Sequence, residues 1–189
     1  NLVMNYVITN IRADRKGESK MKRVFVLVCV LFMMANTVYA SEITWESAPG
    51  HHDQSVLLGP EIQSSKDIVQ RNGKGEYLSS GMLEILNQSN GSIYICVDTF
   101  AHVNVDRIRH TVFLDQWDDR KQDWVQVDYW EFERTKEEEG GELSMMTDTI
   151  TIKNVATNRY YRARGLHMVE IGDEIEGCAT ETHGVLITK

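Results

Sequence analysis

Proline is almost missing from this chain: Pro49 and Pro60 are the two in 189 residues, and none follows Glu61. No proline therefore argues against any later segment donating its backbone N–H groups to a sheet ladder. Cysteine is scarce as well, with three, and none sits in a CxxC or beside a histidine at catalytic spacing, which argues against a thiol enzyme. Basic residues are outnumbered, 20 Lys and Arg against 28 Asp and Glu. The chain thus lacks the positive footprint that nucleic acid or an anionic membrane surface requires. Motifs of hydrolytic chemistry are absent too: there is no GxSxG turn, no HExxH, and no i, i+4 pair among the six histidines.

The sequence holds one long apolar run, Val24 to Ala35, shorter than the ~20 residues a membrane span needs. Lys22 and Arg23 precede it and Val38-Tyr39-Ala40 follow it, the layout of a signal peptide over 21–40 with cleavage between Ala40 and Ser41. Export to the cell exterior is the expectation. Residues 1–20 read as upstream translation, since a signal peptide carries its charged end at its start and Met21 supplies one. After residue 40, 14 Lys and Arg face 26 Asp and Glu, a net charge of −12. Cys96 and Cys178 remain. In an oxidising compartment they are either a disulfide or two separate small core residues.

Residues 41–76 are polar and irregular, and read as a flexible arm with a helical turn or two around Glu61 to Gln70. From Tyr77 the texture changes to short runs of β-branched and aromatic residues separated by Asn, Gly and Asp. These runs are 77–86, 92–101, 106–117, 124–134, 142–153, 160–171 and 178–188. About seven strands at this spacing, over residues 77–189, predict an all-β antiparallel sandwich. Alternation places Ile93, Ile95 and Val97 on one face, and Tyr94, Cys96 and Asp98 on the other. Ile108, His110, Val112 and Leu114 share a face in the same way. Asn90-Gly91 predicts a hairpin. So does the tip Asp118-Asp119-Arg120-Lys121, which Trp117 and Trp124 flank as a cross-strand pair. Tyr160 and Tyr161 open a strand after a short polar crossover, the position of the tyrosine corner in immunoglobulin and fibronectin-III-like sandwiches. Tyr161, Ala163 and Gly165 then face the core, and Arg162 and Arg164 face solvent.

A succession of short elements carries a family resemblance: YLSSG at 77–81, NGSIYI at 90–95, VDRI and VFLDQW within 105–117, Trp124 with Val125 and Val127, and YYRARGLH at 160–167. In this order they resemble a family of small secreted bacterial proteins, domain of unknown function 6147, over about residues 76–189. The resemblance implies secretion, bacterial origin and a β-sandwich, and no activity. The run Glu137-Glu138-Glu139 and the two cysteines depart from the family's pattern.

The residues offer no catalytic constellation, cofactor site or metal site. Asp115, Asp118, Asp119 and Asp123 crowd one hairpin, but without a calcium-loop pattern they read as turn residues. His110 and His167 read as satisfied core or half-buried histidines. Trp117, Trp124, Tyr129 and Trp130 are candidate ligand-contact aromatics, with strand packing as the competing account. The expectation is a secreted, non-enzymatic binding or structural module whose partner is a cell-wall glycan or another extracellular protein. The alternatives are a small carboxylate-dependent hydrolase and a secreted effector or bacteriocin-like protein.

Overall fold

A computed structural model describes residues 43–52, 55–71 and 76–189. The expected upstream segment, signal peptide and Ala40/Ser41 cleavage site lie outside the described residues. Nine strands and no helix occur among those described: β1 (Ser64–Gln70), β2 (Leu78–Asn87), β3 (Ile93–Ala101), β4 (Arg107–Asp118), β5 (Asp123–Thr135), β6 (Met145–Ile152), β7 (Arg159–Ile171), β8 (Glu174–Glu181) and β9 (Val185–Ile187). They form two antiparallel sheets, one ordered β1-β2-β3-β6, the other β5-β4-β7-β8 with β9 added to β7. The all-β, two-layer expectation therefore holds.

Alternating side chains fill the space between the layers. Leu83, Ile85, Ile93, Ile95 and Val97 from the first sheet meet Val112, Leu114, Tyr161, Ala163 and Val185 from the second. Each such aliphatic side chain, removed from water, stabilises the fold by about 1.5–3 kcal/mol. A second cluster under the other end joins Leu78, Val105, Ile108, Leu143, Met146 and Val169. Tyr161 makes the expected corner, its hydroxyl donating to the Ala156 carbonyl at 3.3 Å. In the hairpin between β2 and β3, the left-handed residues are Ser89 (φ 54°) and Gly91 (φ 74°). Asn87 supports that turn, its side-chain oxygen accepting the Ser89 amide at 2.9 Å.

Two features differ from expectation. Residues 64–70 are neither an arm nor a helical turn but an edge strand paired with β2 from Ser64↔Leu86 to Gln70↔Ser80. Ser65 and Asp67 on the inward side of β1 face the rim of the other sheet, while Val69 joins the second apolar cluster. Asp67 accepts the Glu181 amide at 2.8 Å, and Ser65 accepts the His183 amide at 2.8 Å. These bonds close one edge of the sandwich. The final expected strand is broken at Thr182–Gly184, where Leu57 forms a parallel bridge to Gly184. Strands β2 and β3, neighbours in sequence joined by their hairpin, lie side by side in one sheet.

The segment before β1 is also part of the folded unit, which extends from Ile43 to Lys189. Trp45 and Ala48 are buried on the outer face of the second sheet against Leu166, Met168 and Ala179. Further along, the Leu58 amide donates to the Gly184 carbonyl at 2.9 Å.

Candidate functional site

Strands β4 and β5 are longer than their neighbours, and this creates a free end. Strand β7 pairs with β4 only from Arg107 to Gln116. The last rows of the hairpin, Trp117↔Trp124 and Asp118↔Asp123, continue beyond it. The two indoles pack edge to face, with ring centroids 5.3 Å apart and planes at 69°, a geometry worth about 0.5–1.5 kcal/mol beyond burial. Trp117, but not Trp124, borders a concavity of about 520 Å³, within the ~300–1,000 Å³ typical of small-ligand sites. Trp117, Val125 and Val127 supply its apolar lining; Gln116, Arg120, Lys121 and Arg159 supply donors.

The acids at this end are committed to local structure. Asp118 accepts the Arg120 amide at 2.9 Å and the Lys121 amide more weakly at 3.4 Å. The Arg120 backbone bond is the main cause that holds its carboxyl below the ordinary range. Asp119 pairs with Arg159 at 3.1 Å, and Asp123 accepts the neighbouring Trp124 amide at 2.8 Å. Asp115 is buried elsewhere. The four aspartates therefore do not converge on a point. Among the described residues no group of three or more His, Cys, Asp or Glu is arranged to hold a metal ion.

The four candidate aromatics divide between two faces. Trp117, Trp124 and Tyr129 share the outer face of the second sheet, whereas Trp130 pairs with Val112 and packs against the main core. Tyr129 is the most open, at 56 % exposure. Trp124 is partly covered by the Arg162 guanidinium, 4.8 Å from its ring centroid.

Arg162 and Arg164 point away from the core as expected, yet they are not solvated. Both reach the buried Asp115 carboxylate, at 2.9 Å from Arg162 Nε and 2.7 Å from Arg164 Nε. Arg162 also pairs with Glu181 at 2.9 Å. Arg164 lies 4.7 Å over Trp45 and 4.8 Å over Phe113. The cover is the segment before β1, whose Ser55 amide and His51 ring bond to Glu181 and Asp67. Alternation gave the direction of these arginines; it could not show a covering segment a hundred residues away.

A second constellation lies between the sheets. His110 on β4 is directly opposite His167 on β7. Thr99 of β3 sits between them, its Oγ1 2.7 Å from His110 Nε2 and 2.9 Å from His167 Nδ1. His110 Nδ1 is 3.0 Å from Asp148, and His167 Nε2 is 2.9 Å from the Thr180 hydroxyl. One proton arrangement satisfies every member with both rings neutral. Thr180 donates to His167 Nε2, and His167 Nδ1–H donates to Thr99. Thr99 in turn donates to His110 Nε2, and His110 Nδ1–H donates to Asp148. Burial, and then the neighbouring His110, hold His167 well below its ordinary pKa, favouring the neutral ring. Gly81 leaves the space: a Cβ there would lie 2.6 Å from His167 Cδ2 and 2.8 Å from Cys178 Sγ.

Carboxylate, imidazole and hydroxyl in this order resemble a hydrolytic triad. Here the hydroxyl is fully buried and engaged by two imidazoles, so no substrate carbonyl can reach it. The arrangement is a polar seam that fixes how the two sheets sit on each other. The alternation in the sequence placed His110 inward, but the pairing with His167 through Thr99 depends on register across three strands.

The two cysteines do not form a bridge; both are free. Cys178 faces the interior, where burial is the main cause pushing its thiol up to about 12. Cys96 lies in register with Glu84 and Thr149, on the outside of the first sheet. That sheet separates the two sulfurs.

Fold and site together define a two-sheet, all-β protein with a projecting aromatic hairpin and a closed polar seam. A family model described as "Family of unknown function (DUF6147)" matches residues 50–184. The chain belongs to that family. No curated protein matches the sequence.

Proposed function

We propose that this chain is an exported, non-catalytic binding module that contacts a cell-surface glycan at the free end of the β4–β5 hairpin. The observation that carries the reading is the concavity of about 520 Å³ there. An indole beside an apolar floor suits the face of a sugar ring, and the amide and guanidinium groups around it suit hydroxyls. The signal-peptide pattern of residues 21–40 supports export. A carboxylate-dependent hydrolase finds less support, because Asp118 and Asp119 are occupied by backbone amides and by Arg159.

The test is calorimetric titration of the purified protein with soluble cell-wall glycan fragments, alongside Trp117→Ala and Arg159→Ala. The expected result is saturable binding that weakens at least about tenfold in each variant, equivalent to about 1.4 kcal/mol, with melting temperatures showing both variants folded. Absence of binding to every fragment, or variants that bind as tightly as the parent, overturns the proposal.

A further inference from the structure

The two outer faces of the sandwich are finished differently. That of the second sheet is covered by Trp45, Ala48 and Ile43. Among the described residues none is packed as a cover on that of the first sheet. Its register is a grid: Leu86 beside Tyr94, Glu84 beside Cys96, Met82 beside Asp98, and Phe100 beside Met145. Lys66 and Ile68 flank it on β1. Ile68, Phe100 and Met145 are exposed at 46, 37 and 53 %, while Met82, Leu86, Tyr94 and Cys96 are half-buried.

Two properties of this face select its occupant. The first is area. Four strands about 4.8 Å apart and about seven residues at about 3.4 Å give a face of about 450 Å². Only part of that face is apolar, because Thr147, Thr149 and Thr151 of β6 line it beside Asp98, Cys96 and Tyr94. Two such faces in contact bury about 900 Å², near the lower limit for a specific but reversible pair. The second is charge. The chain is acidic, with a net charge of −8, but this face is close to neutral. Lys66 pairs with Glu84 at 3.2 Å, and the Asp98 carboxylate is buried, accepting the Thr147 hydroxyl. A second copy can approach here without bringing acid against acid. A basic partner would find no free carboxylate to bind.

We propose that the outer face of the β1-β2-β3-β6 sheet is the interface of a reversible homodimer in which two copies stack face to face. In a two-fold pair the residues near the axis meet their own copies. An axis through the middle of the face would pass near Cys96, which lies on the inner strand β3 in the second row of the grid. Stacked sheets lie about 10 Å apart, beyond the about 4.4–6.8 Å between Cα atoms that a disulfide allows. The two thiols are therefore bridged by a short bismaleimide and not by oxidation.

The test is sedimentation equilibrium of the full chain under reducing conditions from about 1 to 500 μM, with Ile68→Glu and Met145→Glu as variants. Both positions are solvent-facing, so the substitutions leave the fold intact, which circular dichroism checks. The parent is expected to dimerise with Kd in the micromolar range. Each variant is expected to weaken that at least tenfold, and the bismaleimide should cross-link the parent but not Cys96→Ser. A parent that stays monomeric throughout overturns the proposal and returns the face to a partner of different sequence. Dimerisation unchanged in both variants also overturns it.

Discussion

Replacing Thr99 separates hydrogen bonding from packing in the polar seam. Thr99→Val keeps the side-chain volume and removes the hydroxyl, leaving His110 Nε2 and His167 Nδ1 without the partner each has at 2.7 and 2.9 Å. Each buried group stranded in this way costs about 1–3 kcal/mol, so the variant is expected to lose about 2–6 kcal/mol. Thr99→Ser keeps the hydroxyl and removes one buried methyl, a loss of about 1 kcal/mol. The ordering is the diagnostic: packing alone predicts that valine is the milder change, whereas the seam predicts serine. Urea unfolding monitored by tryptophan fluorescence measures both, with an unchanged m-value showing that the unfolded reference is the same. A valine variant within about 0.5 kcal/mol of the parent, or less damaging than serine, would refute the proton assignment and the stabilising role of the seam.

Acid should act through the same place. Burial and then His110 hold the His167 pKa well below its ordinary value, so below about pH 6.5 the unfolded chain binds a proton that the folded chain refuses. This group contributes full stability above that pH and loses up to about 1.4 kcal/mol per pH unit beneath it; urea midpoints at pH 7, 6 and 5 that do not fall contradict the reading. Gly81→Ala places a methyl 2.6 Å from His167 Cδ2 and is expected to cost about 1–3 kcal/mol by overpacking, read as a lowered melting temperature. Asp115→Ala strips the carboxylate that two buried guanidinium groups share; removing one partner of such a set costs about 3–5 kcal/mol, so a melting temperature within a degree of the parent would show that Arg162 and Arg164 are content without it.

Much of the fold was legible because the buried strands alternate. Ile93, Ile95 and Val97 on β3, and Ile108, Val112 and Leu114 on β4, repeat every second residue with no proline to interrupt them. Tyr161 announced its corner in the same way. Strand β1 escaped because two of its three inward positions, Ser65 and Asp67, meet a sheet edge, and Val69 alone joins an apolar cluster. A polar inward side erases the two-residue period on which a strand is recognised. The seam escaped for a different reason: the spacing of Thr99, His110, Asp148, His167 and Thr180 along the chain carries no signature, and only strand register brings them within 3.0 Å links. For the hairpin, sequence supplied the indole pair but not the projection, which exists because β7 stops pairing at Gln116.

The central functional claim is that ligand meets the free end of the β4–β5 hairpin. Backbone amide NMR of the isotope-labelled protein, titrated with the tightest-binding cell-wall glycan fragment, tests it most directly. Shifts confined to Gln116–Val127 and Arg159 are the predicted result. Shifts centred on the outer face of the first sheet, or none at saturating glycan, contradict it.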